Sequence, residues 1–180
     1  MKLPTALLTL TILTPTILSA PPTPNQKRSL TDYETIITDL TDATNDFSAW
    51  ITQYASSSIT GPELLSHSTD LLNAYIDVPG TIIQLAPLTT SDALALVDPI
   101  LGLRDATGDM VDALISVKPD LVSEGLDDEF ATWLGDLRGE MEGLRDAVVD
   151  KVPSVLADIV YDVLDSIPAE VRRGEDAFLE

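Results

Sequence analysis

Apolar side chains in this chain return every third or fourth residue through five successive stretches, and no other feature limits its fold as strongly. At about 3.6 residues per turn, such positions share one face of an α-helix. In the first stretch Tyr33, Ile36, Ile37, Leu40, Phe47, Ile51 and Tyr54 form a stripe, with Asp32, Asp39, Asp42 and Asp46 away from its centre. Thr31-Asp32-Tyr33-Glu34 reads as a capping box that starts this helix, and Ser56-Ser57-Ser58 ends it. The second follows Gly61-Pro62-Glu63 and carries Leu65, Leu72, Tyr75, Ile76, Ile83 and Ala86. Pro79-Gly80 within it predicts a kink or a break.

The third stretch opens at Thr89-Thr90-Ser91-Asp92 and runs to about Val117 through Leu94, Val97, Leu101, Val111 and Ile115, bent at Pro99. The fourth begins near Pro119, weakens at Gly125, and presents Phe130, Leu134, Leu137, Met141, Leu144 and Val148. The fifth starts at Pro153 with a wider arc of Val155, Leu156, Ile159, Val160, Val163, Leu164 and Ile167, which predicts burial on more than one side. No strand-like alternation competes, and aromatics are only 5% of the chain, so aliphatic helix packing is favoured over a sandwich. The expected fold is all-α: one antiparallel bundle of about five amphipathic helices joined by short loops. Its interior could be a filled core or an apolar cavity, because both use the same residues.

The ends read differently. Lys2, the uncharged run Leu3 to Leu18 and the small pair Ser19-Ala20 predict a signal peptide over residues 1–20. Residues 21–28 read as a Pro-rich spacer or pro-segment closing on the dibasic pair Lys27-Arg28. The bundle is expected over residues 29–170, followed by a polar C-terminal tail, 171–180. Residues 1–28 carry three of the ten basic side chains and no acidic one, so their removal leaves 30 acidic residues against 7 basic. A surface of that sign is a poor partner for nucleic acid and for anionic membranes. Such charge keeps a protein soluble, and a monomer is expected.

Chemistry is sparse. There is no cysteine, which excludes disulfides and thiolate metal sites. His67 is the single histidine, set among Glu63, Ser66 and Ser68, and no G-x-S-x-G turn occurs. It reads as a solvated helix-surface side chain. Acidic pairs such as Asp127-Asp128 are what chance gives with this many carboxylates. No catalytic residue, metal site or cofactor is expected, and the chain is read as no enzyme. The Gly135, Gly139 and Gly143 series falls opposite the apolar stripe of its helix; it is a plain surface or a helix loosened enough to move.

Binding is the alternative to catalysis. If the interior admits a ligand, its apolar lining is expected from Leu40, Phe47, Ile51, Leu72, Ile76, Leu101, Val111, Leu137, Met141, Val160 and Leu164. Two polar residues fall where apolar ones should be: Ser68 between Leu65 and Leu72, and Arg104 a turn after Leu101. Ser68 could bond back to a helical carbonyl and Arg104 could reach to water. The sharper expectation is that both meet the polar end of a hydrophobic guest.

The run from Leu134-Gly135-Asp136-Leu137 through Leu144-Arg145-Asp146-Ala147-Val148-Val149-Asp150-Lys151-Val152-Pro153 resembles the later half of the fungal hydrophobic surface-binding protein A family, which includes cell-wall galactomannoproteins. The earlier half agrees in layout through Leu64-Leu65, Leu85-Ala86-Pro87-Leu88, Asp92-Ala93 and Val117-Lys118-Pro119. The resemblance covers about Leu30 to Ile167. It implies a secreted five-helix bundle, adsorption to hydrophobic surfaces and, in some members, a fatty acid held in a cavity between helices. Pro79 and Pro99 inside helices, and the lack of a long Ser/Thr-rich tail for wall attachment, depart from the pattern. The expected function is therefore secreted, extracellular or wall-associated binding of a fatty acid or other lipid. The alternative is adsorption to a hydrophobic surface without an enclosed ligand.

Overall fold

A computed structural model describes residues 24–180, with side chains from Leu30 onward. The expected leader, residues 1–20, lies outside the described residues. Seven helices follow one another: α1 (Pro24–Ala55), α2 (Gly61–Ile76), α3 (Val78–Gln84), α4 (Thr90–Ala95), α5 (Val97–Glu124), α6 (Asp127–Val149) and α7 (Ser154–Leu179). Five are long and two are short, and among the described residues there is no strand. No helix among them is long and apolar enough to cross a membrane.

The long helices close a ring in the order α1, α5, α7, α6, α2 and back to α1. Long helices joined by a short loop, α1 with α2, α5 with α6 and α6 with α7, run in opposite directions. An odd ring cannot alternate throughout, so some neighbours run parallel. The C-terminal ends of α1 and α5 meet where the Tyr54 hydroxyl donates to Glu124. Those of α5 and α7 meet where the Lys118 ammonium donates to the Ala177 carbonyl. The short α3 packs on α6, and α4 bridges α5 and α7.

Several boundaries move from their expected places. α1 is already helical at Pro24, so Thr31 lies inside it and Thr35 Oγ1 donates to the Thr31 carbonyl at 2.8 Å. The capping carboxylates sit elsewhere: Glu63 accepts from the Thr60 amide at 2.8 Å, and Asp92 from the Thr89 amide at 3.2 Å. The third expected helix breaks at Leu96 into α4 and α5, which puts Pro99 in the first turn of α5, where its missing N–H costs nothing. α5 continues through Pro119 and stops at Gly125, whose φ of 73° is the left-handed conformation that glycine supplies at a helix end. The segment 171–180 is no loose tail. α7 runs to Leu179, and Val171, Gly174 and Phe178 recur on its buried face. Pro168 is accommodated inside that helix and is itself buried.

Candidate functional site

An apolar depression lies between α2 and α6. Open to solvent, it measures about 480 Å³ and is lined by Leu65, Ser68, Thr69 and Leu72 of α2 with Asp128, Glu129, Thr132, Trp133 and Asp136 of α6. That volume is in the range of small-molecule sites, which run from about 300 to 1,000 Å³. On α2 the lining spacing is i, i+3, i+4 and i+7, one helical face, and the α6 residues share a face in the same way. Leu65, Leu72 and Trp133 form the walls. Ser68, fully buried, lies at the bottom.

The floor is polar yet satisfied. Ser68 Oγ donates to the Leu65 carbonyl at 2.8 Å, the back-bonding open to a serine inside a helix. Trp133 Nε1 donates to the Ser68 carbonyl at 2.7 Å. Behind the floor, Phe47 of α1 packs on Trp133 with ring centroids 5.1 Å apart. Further along α2, the Tyr75 hydroxyl and Thr44 Oγ1 are 3.2 Å apart in the core, and burial raises the Tyr75 pKa. At the head of α2, Glu124 accepts from the Gly61 amide at 3.1 Å and from the Tyr54 hydroxyl at 3.0 Å.

The expected lining divides into three groups. Leu40, Phe47, Ile51, Val111, Leu137, Met141, Val160 and Leu164 are buried in the common core, and of these only Phe47 lines a depression described here. Leu72 is a groove wall and Ser68 its floor, so these two expected residues are brought together. Ile76, Leu101 and Arg104 depart from expectation. Ile76 is 46% exposed, because Tyr75 holds the inward position. Leu101 is half-buried, with Ile100 and Leu103 facing the core instead. Arg104 turns to its neighbour Asp105 at 2.6 Å on another face of the ring, in a charged depression with Gly108, Asp112 and Arg173. It does not join Ser68.

Trp133, Thr69, Thr132 and the three acidic rim residues were missed. A signal was present: Trp133 is the one aromatic on a face otherwise built from Asp128, Glu129, Thr132 and Asp136, an unusual place for an indole unless something covers it. His67 faces the other side of α2. Its ring stacks on Trp50 at 3.7 Å, and its Nδ1 lies 3.6 Å from Asp70. A smaller depression of about 180 Å³ adjoins that stack.

A closed ring of amphipathic helices, parted along one seam by an apolar groove, defines the class as a helical bundle. The chain belongs to the hydrophobic surface binding protein A family, whose model matches residues 30–150. It is 30% identical over 146 residues to cell wall mannoprotein 1 of Talaromyces marneffei, covering 81% of this chain and 31% of that protein. It spans between about a third and just over half of the curated relatives it matches. Among solved structures it is similar to ligand binding domain 2 of the Penicillium marneffei MP1 protein complexed with multiple arachidonic acids. The TM-score is 0.76 at 29% identity, over 83% of this chain and 95% of that one. Ligand binding domain 1 of the same protein, complexed with arachidonic acids, also gives a TM-score of 0.76, at 25% identity over 84% of this chain and 99% of that one.

Proposed function

We propose that this chain binds a fatty acid or a similar long-chain lipid between α2 and α6, outside the cell that makes it, and that it does so without catalysis. The observation that carries the reading is the apolar groove at that seam, with buried Ser68 at its base, in a bundle similar to domains solved with arachidonic acids. α2 suits the role of a movable stave. It has 16 residues, against 23 or more in each other long helix of the ring. The tail runs along Leu65, Leu72 and Trp133, and the exposed Thr69 and Thr132 flank the mouth of the groove, where the head group lies.

Each buried methylene contributes about 0.8 kcal/mol. After ordering costs, a long-chain acid would keep roughly −5 to −8 kcal/mol, or a Kd of about 100 μM to 1 μM. Secretion is supported by the leader-like residues 1–20 and by relatives named as cell wall mannoproteins. Against catalysis, the single histidine is stacked on Trp50, and the Ser68 hydroxyl is committed to a backbone carbonyl.

Native mass spectrometry of the secreted protein, followed by organic extraction, tests the proposal. Stoichiometric lipid, or uptake of added fatty acid, is the expected result. A clean apo mass with no uptake would remove it. A second reading, adsorption to hydrophobic solids, is favoured by one observation: Val155 and Ile159, a turn apart on α7, are 75% and 61% exposed. Under that reading V155S/I159S would lose adsorption while lipid uptake stayed unchanged.

A further inference from the structure

Trp133 stands between two depressions. It is a wall of the groove between α2 and α6, and its ring packs on Phe47 of α1 with centroids 5.1 Å apart. Phe47 in turn lines the depression of about 180 Å³ between α1 and α2, beside Trp50, His67 and Leu71. The carboxylates of that second hollow, Asp46 and Asp70, are exposed, whereas Phe47 and Leu71 are buried, so its deep end is apolar. The two hollows flank α2, and beneath that helix the contact of Trp133 with Phe47 separates them. α2 leaves least bulk at this level. Its inward positions are Leu64, Ser68, Leu71 and Tyr75, of which Ser68 is the smallest.

The groove by itself is short for a membrane-derived acyl chain. Leu65 and Leu72 are seven residues apart, about 10 Å along a helix. A bilayer core of about 30 Å holds two layers of chains, so one chain reaches about 15 Å. With Ser68 level with Trp133 and the helices parallel, Asp128 and Glu129 fall at the Leu65 end and Asp136 at the Leu72 end. A longer chain that keeps to the surface therefore runs into carboxylates or water. The apolar continuation is inward, past Trp133.

The indole is placed to yield. One hydrogen bond, from Nε1 to the Ser68 carbonyl, ties it to α2, and the open groove beside it has room for the ring. Turned outward, its N–H meets water, so no buried donor is stranded. We infer that Trp133 is a plug which an acyl chain longer than the groove displaces, and that the chain then passes beneath α2 to end beside Phe47 and Trp50. The inference rests on the groove being the lipid site, and it makes Trp133 the residue that separates long chains from short ones.

The chain has two tryptophans, Trp50 and Trp133, one at each hollow, and bromine quenches an indole it touches. W133F leaves Trp50 as the sole reporter and W50F leaves Trp133, each keeping a ring in place. The probes are ω-bromodecanoate, about as long as the groove, and ω-bromohexadecanoate, with loading followed by native mass spectrometry. In W133F the longer acid should quench Trp50 and the shorter should leave it bright. In W50F the shorter acid should quench Trp133 more than the longer. Should W133F misfold, quenching by the longer acid that is present in the wild type and lost in W50F belongs to Trp50. Stopped-flow loading of hexadecanoate should be severalfold faster in W133F than in the wild type, with decanoate unchanged, because only the longer chain must break the indole's bond.

A loaded W133F whose emission the longer acid leaves unchanged would overturn the passage while keeping the seam as the lipid site. Quenching of Trp50 by both acids alike would overturn it too, since that means direct entry from the α1–α2 side. Equal acceleration of both acids in W133F would show general loosening and remove the plug. If neither acid loads the wild-type protein, the groove is no lipid site, and both readings fall.

Discussion

The indole Nε1 of Trp133 on α6 donates to the main-chain carbonyl of Ser68 on α2 at 2.7 Å, with both residues buried. The bond crosses the one seam of the ring that carries the apolar groove, and both partners line it. It joins two helices that run in the same direction, so it fixes their register as well as their separation. Removing the donor while keeping a ring is the sharpest probe. Trp133→Phe should cost about 1 kcal/mol net, because the Ser68 carbonyl is a helical acceptor and loses only its additional partner. Urea midpoints measure the loss. Amide exchange should quicken in the Leu65–Leu72 turns of α2 more than in α5.

A second prediction concerns the head of α2. A Cβ on Gly61 would fall inside contact distance of Glu124 Oε2 and Leu126 Cδ1. Both atoms end flexible side chains, so the collision alone is cheap. Moving Glu124, however, breaks its bonds to the Gly61 amide and the Tyr54 hydroxyl. Gly61→Ala should therefore destabilise by about 1 kcal/mol. In a Glu124→Ala background the same substitution should be neutral or stabilising, as alanine is the better helix former. Equal effects in both backgrounds would show that the clasp is not what excludes a side chain at position 61.

Phe178 tests the reassigned C-terminal segment. Its ring is buried, 6.1 Å from that of Phe130, with the Lys118 ammonium 5.9 Å away. Phe178→Ala should cost about 3–5 kcal/mol, as for other buried aromatic truncations. A loose tail would give almost no change in thermal or urea unfolding.

Alkali should unfold this protein through its tyrosines. Burial raises Tyr33 and Tyr54 from 10.0 to about 12, with Glu124 adding to the rise at Tyr54, and burial raises Tyr75 as well. A raised folded-state pKa means that the folded form holds its proton more tightly than the unfolded chain does. The stability tied to these hydroxyls is therefore whole below pH 10 and is lost as pH climbs from there through about 12. Urea midpoints should fall across that window, and Tyr54→Phe should flatten the fall.

The helices were legible in the sequence, but their rotation was not. α2 carries adjacent leucines twice, Leu64-Leu65 and Leu71-Leu72, so two stripes about 100° apart fit the periodicity equally well. The core takes Leu64, Ser68, Leu71 and Tyr75, which turns Leu65 and Leu72 toward the groove and Ile76 outward. The same ambiguity in α5, between Ile100 and Leu101, decides Arg104. Once Ile100, Leu103 and Thr107 face inward, its side chain must leave the core. Ser68 was found because a polar residue lies inward in either phase. The rim of α6 was not, since acidic residues opposite a core stripe read as ordinary solvated surface until α2 is seen beside them. The C-terminal helix was hidden by Pro168 and by charged residues interleaved between Val171 and Phe178.

The most direct test of lipid binding at the α2–α6 seam is photolabelling with a long-chain fatty acid bearing a diazirine in its tail, followed by peptide mapping. The expected labels fall on peptides of α2 and α6 that contain Leu65, Leu72 and Trp133, and unlabelled fatty acid removes them. Competable labelling confined to the exposed Val155–Ile159 face of α7, or none at all, would contradict a ligand held between those two helices.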